Sequence, residues 1–356
     1  MSTQNYTIKT NKIQESRINE VDWDNIVFGH VFSDHMLVMD YTDGEWQEPE
    51  IMPFGALPLH PATSAIHYGQ SIFEGMKAYR KSDGTPVVFR PEMNATRFRK
   101  SAYRMCMADI PEDLFMYCLM KLLNFDKDWV PVKQTNAMYI RPFMFATDGY
   151  TGIKPSQTYR FMIFTCPVGP YYTEPIGIKI EEEYTRANIG GVGFAKTAGN
   201  YAAALYPTKL AQEAGYQQII WTDGQTHEYV EEAGTMNVLF VKDGKLISPA
   251  ESETILAGIT KRSLIEVAQS KGIQVEERKI SVKEIIEGIK DGSVTEAFGA
   301  GTAATVAPIK LIGFRGENYH LAPITDSSMS QQLKNTLDDI KYGRAEDTFG
   351  WLKEIN

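Results

Sequence analysis

Apolar residues along this chain recur at two different spacings, which take turns from one segment to the next. Residues 237–242 (NVLFVK) and 245–248 (KLIS) are β-rich runs on either side of Asp243-Gly244. Asp-Gly tolerates the positive φ angles of a two-residue turn, so the stretch predicts a hairpin. The same logic pairs residues 76–80 with 87–90 around Asp83-Gly84, and further Asp-Gly pairs begin at Asp43, Asp148, Asp223 and Asp291. Residues 139–146, 159–168 and 294–298 also read as strands. Helical spacing takes over elsewhere. Pro91 suits a first helical turn and opens a helix over 91–105, with Phe98, Ala102 and Met105 on one stripe. Helices are also predicted over 112–125, 200–214, 260–269, 282–289 and 330–341.

The segment PVGPYYTEP, residues 167–175, places three prolines and a glycine in nine positions, which suits a connector. This predicts a smaller N-terminal α/β domain over 1–169, a loop over 170–184 and a larger C-terminal domain over 185–356. Strands and helices are mixed and hairpins are frequent. The predicted fold class is therefore α/β, or mixed α+β, in two lobes with a cleft between them.

A length of 356 residues agrees with about two domains. Apolar residues make up 43% and charged residues 23%, which excludes a disordered, collagen-like or disulfide-scaffold chain. The net charge of −9 opposes binding to nucleic acid or to an anionic membrane surface. Cys106, Cys118 and Cys166 form no CxxC pair and read as reduced thiols. The first residues are polar, unlike a signal peptide, and no apolar run is long enough to span a membrane. A cytoplasmic enzyme or binding protein is expected.

Candidate chemistry sits in four places. GGVGFAKTAGNY, from Gly190, nearly fits a phosphate-binding P-loop, but Ala195 stands where the last glycine belongs and the preceding residues make a poor strand. Its Lys196, a long amine among small residues, could instead attack a carbonyl. In EEAGTMN, Glu231 and Glu232 are adjacent, so on an extended chain one of them faces a cleft. A carboxylate there would keep a pyridine nitrogen protonated. LAGITKR starts a helix whose free N–H groups and Thr260 suit a phosphate. Arg97 could supply a guanidinium, although Arg99 and Arg104 compete on spacing alone. Finally, GAGTAA, from Gly299, fits a loose dinucleotide pattern, but Pro308 interrupts the helix that pattern requires. It reads better as a glycine-hinged turn offering backbone N–H groups to an anion. A lysine, a carboxylate, an anion-binding helix start and such a turn together suit a phosphorylated pyridine aldehyde.

Between about Val27 and Gly343 the chain resembles the branched-chain amino acid aminotransferases, pyridoxal-phosphate enzymes of fold type IV. The likeness rests on FGHVFSDHMLVMDY, HYGQSIFEGMKAYR, YIRPFMFATDGYTGI, CPVGPYY, GGVGFAKTAGNYAAAL, EAGTMN, ILAGITKR and FGAGTAATV. It implies a two-domain enzyme with its active site in the interdomain cleft. Lys196 would carry pyridoxal 5′-phosphate as a Schiff base. Tyr201 would bond its phenolic oxygen and Glu232 its ring nitrogen, while Arg97, Ile259, Thr260 and Thr302 would hold the phosphate. Tyr139, Arg141, Thr235 and Ala303 would lie near the substrate carboxylate, and Phe28, Tyr68, Phe73 and Tyr171 would line the side-chain pocket. Ile153 would reach that pocket from a partner subunit, making a homodimer. No metal is called for. Departures are Ala304 and Ala307 where some members carry a CxxC pair, Leu239 at a usual aromatic position, and Ser248 for a common threonine. The first of these predicts no thiol switch at that turn.

The implied reaction is ping-pong transfer of an amino group between L-leucine, L-isoleucine or L-valine and 2-oxoglutarate, giving branched-chain 2-oxo acids and L-glutamate. Within the fold type, a D-amino acid aminotransferase or an aminodeoxychorismate lyase is the nearest rival. Outside it, the rival is a phosphate-ligand-binding protein or NTPase.

Overall fold

The computed structural model describes residues 6–356, which fall into two compact units. The first takes the described residues through Pro170, together with Ala195–Ala198 and Lys341–Asn356. The second takes Tyr171–Phe194 and Gly199–Ile340.

At the centre of the first unit, strands Ala137–Ala146 and Tyr159–Val168 pair antiparallel along their full length, Ala137 opposite Val168 and Ala146 opposite Tyr159. His35–Thr42 and Glu50–Pro53 extend this pair on one side, and Met76–Arg80 and Pro86–Phe89 on the other, in a sheet of ten strands among the described residues. Helices Pro91–Arg104 and Glu112–Phe125 pack on it. Their buried positions recur at three- and four-residue steps, Phe98 and Ala102 on the first, Phe115, Cys118 and Leu122 on the second. Phe98 and Phe115 meet Phe161 of the sheet at ring distances of 5.5 and 5.6 Å. The last strand, Leu352–Glu354, pairs with Pro86–Phe89, and this is why 341–356 groups with the first unit rather than continuing the second.

In the second unit, six strands are joined in a ring: Val230–Ala233, Gln218–Thr222, Ile176–Ile180, Thr305–Phe314, Val294–Gly301 and Met236–Lys242. Pairing of Met236–Lys242 back onto Val230–Ala233 closes the ring into a barrel-like sheet. Leu239 and Phe240 point to opposite faces of their strand and both are fully buried, so that strand is covered on both sides. An aliphatic residue at position 239 is therefore no defect in packing. Ser248 is also fully buried, its hydroxyl bonding the Val238 and Pro249 carbonyls.

The hairpin predicted around Asp243-Gly244 is present, with φ of 50° and 73° at its two turn residues and Lys242 opposite Lys245. Asp43-Gly44 makes the same kind of turn. Asp148 and Asp223 do something else. Their carboxylates accept loop N–H groups: Gln157 and Thr158 for Asp148, and Thr226, Glu228 and Tyr229 for Asp223. Burial raises the Asp223 carboxyl, but the N–H groups of Tyr229, Thr226 and Gln225 outweigh it and hold the group at about 2. A depressed folded-state pKa stabilises the fold above the ordinary value of 3.8, and that contribution is lost as pH falls from there toward 2. Asp223→Asn is expected to lower the denaturant midpoint at pH 7 and to narrow the difference between pH 7 and pH 3. An unchanged pH dependence would remove this role.

The glycine-hinged turn expected over Gly299–Ala304 is confined to the second half of that segment, because Gly299–Gly301 still belong to a strand. These residues continue the strand Val294–Gly301, with Gly299 and Ala300 paired to Val238 and Asn237 on one side and to Ala307 and Val306 on the other. Ladder pairing, not anion binding, occupies this backbone. Side-chain room explains the first glycine, because a Cβ at Gly299 would lie 2.6 Å from Met236 Cε. The turn itself is Thr302–Ala304, leading into Thr305 at φ 59°. Gly193 of the near-P-loop has a similar packing reason, since its Cβ would meet Ala187 Cβ at 2.6 Å and Thr254 Cα at 2.8 Å.

Candidate active site

Lys196 lies on an extended link held to the first unit from two sides. Its N–H donates to Ser101 Oγ at 2.9 Å, and its carbonyl accepts the Phe73 N–H at 3.0 Å. Thr197 bridges to Ile72, and its hydroxyl donates to the Ser71 carbonyl at 2.7 Å. The lysine backbone is thus fixed, and Nζ stands 4.8 Å from the centre of the Phe73 ring.

The same ring receives Arg141, whose guanidinium carbon lies 4.6 Å from its centre. Arg141 and Tyr139 are two residues apart on one strand and so share a face. Arg141 Nη2 donates to the Tyr139 hydroxyl at 2.8 Å, and Phe28 meets the Tyr139 ring edge-on at 5.1 Å. Arg141 Nε is buried with no hydrogen-bond partner. Gly75 makes room for this cluster, because a Cβ there would overlap the Tyr139 hydroxyl oxygen. The structure therefore brings Lys196, Phe73, Tyr139, Arg141 and Phe28 together.

Arg97 is the buried arginine of its helix, whereas Arg99 is exposed and pairs with Asp109. Arg97 Nε and Nη2 each donate to Glu74 at 2.7 Å, a bidentate pair in which the carboxylate has no exposed surface. Asn94 donates to the same carboxylate at 2.7 Å, and Ser101 bonds the Arg97 carbonyl one turn on. Glu74→Gln would set an amide donor against these donors and leave a buried guanidinium without its counter-charge. The expected cost is about 3–5 kcal/mol, read as a lowered denaturant midpoint. A loss below about 1 kcal/mol would show the pair to be dispensable.

In the second unit, Glu232 is 3% exposed and held on three sides. One oxygen accepts the Leu256 N–H and lies 3.5 Å from Asn237 Nδ2, and the other lies 3.2 Å from Arg186 Nε. Arg186 is itself oriented by the carbonyls of Gly193 and Thr254. Tyr201, Glu232 and Thr235 line one small recess with Arg186 and Leu256. Glu231 turns to the opposite side and accepts the Thr254 hydroxyl. Ile259 and Thr260 are buried at the start of helix Ile259–Ser270, whose N-cap Gly258 offers no side-chain cap to the first N–H groups. A Cβ on Gly258 would overlap Asn237 Oδ1, so only glycine fits this entry. Thr302 and Ala303 occupy the hairpin turn that follows Gly301.

Three expected residues sit at the surface. The Tyr68 hydroxyl donates to the Thr151 carbonyl, Ile153 is 91% exposed, and Tyr171 packs edge-on against Tyr172 at 4.8 Å. Sequence reasoning missed Glu74, Ser101, Arg186 and Asn237, although they position the residues it found. Glu74 lies within HYGQSIFEGMKAYR and Asn237 within EAGTMN, but their partners are distant along the chain.

Residues 71–312 match the family model for class IV amino-transferases. Branched-chain-amino-acid transaminase 1 of Bacillus subtilis (strain 168) is 43% identical over 339 residues, covering 94% of this chain and 95% of its own. A solved branched-chain amino acid aminotransferase from Escherichia coli is 26% identical with a TM-score of 0.74, over 91% of this chain and 99% of that one. The pyridoxal-phosphate form of the enzyme from Thermobaculum terrenum, at 22% identity, shares the fold with a TM-score of 0.72 over 91% of this chain and 98% of its own. The chain belongs to the class IV aminotransferases, of fold type IV. Pyridoxal 5′-phosphate is the cofactor of that family. The residues present fit such a group: an uncapped helix start suits a phosphate, a pinned buried carboxylate suits a ring N–H, and a backbone-anchored lysine suits a carbonyl.

Proposed function

We propose that the chain is a branched-chain amino acid transaminase exchanging amino groups between L-leucine, L-isoleucine or L-valine and 2-oxoglutarate. The observation that carries this reading is the grouping of Lys196, Arg141 and the rings of Phe73, Tyr139 and Phe28 in one cluster. It joins a nucleophilic amine, a guanidinium with a buried unpaired N–H and an aromatic wall. These are the groups that an apolar α-amino acid requires.

In this reading Lys196 would hold the cofactor through Nζ, and the same Nζ would take the proton from the substrate Cα. Arg141 Nε and Tyr139 orient the substrate carboxylate, with Thr235 and Ala303 near it. Phe28, Tyr68, Phe73 and Tyr171 enclose the aliphatic side chain. Glu232 holds a proton on the ring nitrogen, Tyr201 bonds the phenolic oxygen, and Arg97, Ile259, Thr260 and Thr302 hold the phosphate. When bound, pyridoxal phosphate supplies a carbonyl carbon and a ring that takes up the electron pair left at Cα.

An apolar pocket separates substrates that differ by one methylene by only about 1–3 kcal/mol, so the three branched substrates should differ in kcat/KM by less than about 200-fold. A steady-state assay against 2-oxoglutarate tests this, with parallel double-reciprocal lines expected. Turnover of D-leucine in place of L-leucine would move the reading to the D-specific relatives.

Exposed Leu59, Ile66, Tyr150 and Ile153 support a homodimer, because they flank two segments whose backbones bond each other at Ser64–Asp148 and Tyr150–Ala62, and large apolar side chains in water favour burial against a second copy. Light scattering should then give twice the 40.1 kDa chain mass. Among the described residues no helix is long and apolar enough to cross a membrane. All three cysteines are free, which supports a cytoplasmic location.

A further inference from the structure

Strand His35–Thr42 opens on a buried histidine that the reaction described above does not use. His35 is 2% exposed and Asp126 is 3% exposed. The backbone N–H of His35 donates to Asp126 Oδ2 at 3.0 Å, and its ring Nδ1 lies 2.6 Å from Asp126 Oδ1. On the other side of the ring, Nε2 accepts the Ile13 N–H at 3.0 Å. A backbone N–H can only donate. This bond therefore requires a bare Nε2 and places the ring proton on Nδ1, where it donates to Asp126.

Ile13 lies in the middle of a strap. At one end the Asn11 N–H donates to the Ile51 carbonyl, and at the other Asp34 accepts the Ser16 hydroxyl and the Arg17 N–H. Between these anchors Lys12, Gln14 and Glu15 are exposed and Ile13 is half-buried. His35 thus holds the centre of the strap through a single acceptor atom. A second proton on the ring would set a donor against the Ile13 donor, and the contact would have to open.

The charges around the ring favour that proton. Asp126 is bonded to it, and Asp34, the preceding residue, interacts with it electrostatically. Arg17 opposes them, but its Nε lies 3.6 Å from Asp34 and is offset there. Phe125 meets the ring edge-on at 4.7 Å and Pro53 lies opposite on the next strand, and neither carries a charge. The docked strap is what keeps Nε2 bare.

We propose that His35 is a pH-operated latch on residues 11–15: neutral, it holds them against the first unit, and protonated, it releases them. Release is accompanied by proton uptake, so falling pH favours the open strap. Imidazole is the side chain that changes charge between about pH 5 and 8. Asp34 still holds Ser16 and Arg17, so the opening is local.

Trypsin cuts after lysine, and the Lys12–Ile13 bond carries the latched N–H itself. The test is digestion of the pyridoxal-phosphate-loaded protein at pH 8 and at pH 6, with scission at Lys12 followed by intact mass. Each rate is divided by that of the free peptide TNKIQES, residues 10–16, which removes the pH dependence of the protease. The readout does not involve the transaminase reading. Two pH units raise the released population by up to about 100-fold, so the normalised rate should be at least about ten-fold higher at pH 6. His35→Gln offers Ile13 an acceptor that does not titrate, and the pH response should vanish. Asp126→Asn removes the carboxylate that favours the second proton, so its response should be smaller than the native one. Thermal melts identify whichever variant is folded, and either one suffices. A normalised rate equal at the two pH values in the native chain would overturn the proposal. So would a native-sized response in a folded variant.

Discussion

Lys196→Ala is expected to abolish turnover while leaving the fold in place. The side chain would supply both the covalent attachment and the movement of the Cα proton. General acid–base catalysis alone contributes about 10²–10⁴-fold, so kcat should fall by at least that much. Structure predicts little damage elsewhere. The two bonds that fix this residue, to Ser101 Oγ and from the Phe73 N–H, are made by its backbone and survive in alanine. The melting temperature of the cofactor-free protein should therefore stay within a degree or two. Activity above about 1% of the native rate would remove Lys196 from its assigned role.

Glu232→Gln is the second large effect. The amide keeps an oxygen for the Leu256 N–H but loses the charge facing Arg186. Removing one preorganised electrostatic partner from a buried site costs about 10²–10³ in rate. The loss should fall on proton removal, so the isotope effect with substrate deuterated at Cα should rise and cofactor affinity should change much less. If the variant loses cofactor affinity and keeps the native rate at saturation, Glu232 does not serve the ring nitrogen. Glu232→Ala is a poorer test, because it strands Arg186 Nε, which already lacks a well-directed hydrogen bond.

Local pattern made the long elements legible. Helix Glu112–Phe125 and strand Tyr159–Val168 lie where periodicity places them, because each carries its own signal within one window. The hairpin at Asp243-Gly244 is readable for the same reason. Contacts between distant segments are not. Arg97 meets Glu74 across 23 positions, Arg186 meets Thr254 across 68, and Lys196 meets Ser101 across 95. Arg186 lies in a segment that makes a poor strand, and nothing local marks it as the cation beside Glu232. Gly299 and Gly301 mislead because a glycine kept free of a Cβ for packing against Met236 looks, in sequence, like one kept for a turn. The return of 352–354 to the first sheet has no sequence signal, being a three-residue strand on a distant edge. The residues of the candidate site are legible through long motifs that resemble a known family, and composition and spacing alone leave Arg97, Arg99 and Arg104 unresolved.

The central claim is that Lys196 and its neighbours accept an L-branched-chain amino acid and take its amino group. It is tested most directly by the absorbance spectrum of the cofactor-loaded protein, recorded before and after adding L-leucine with no oxo acid present. The account predicts a visible cofactor band that L-leucine converts to the amino form of the cofactor and that D-leucine leaves unchanged. A band that ignores L-leucine, or one that only D-leucine converts, would contradict it.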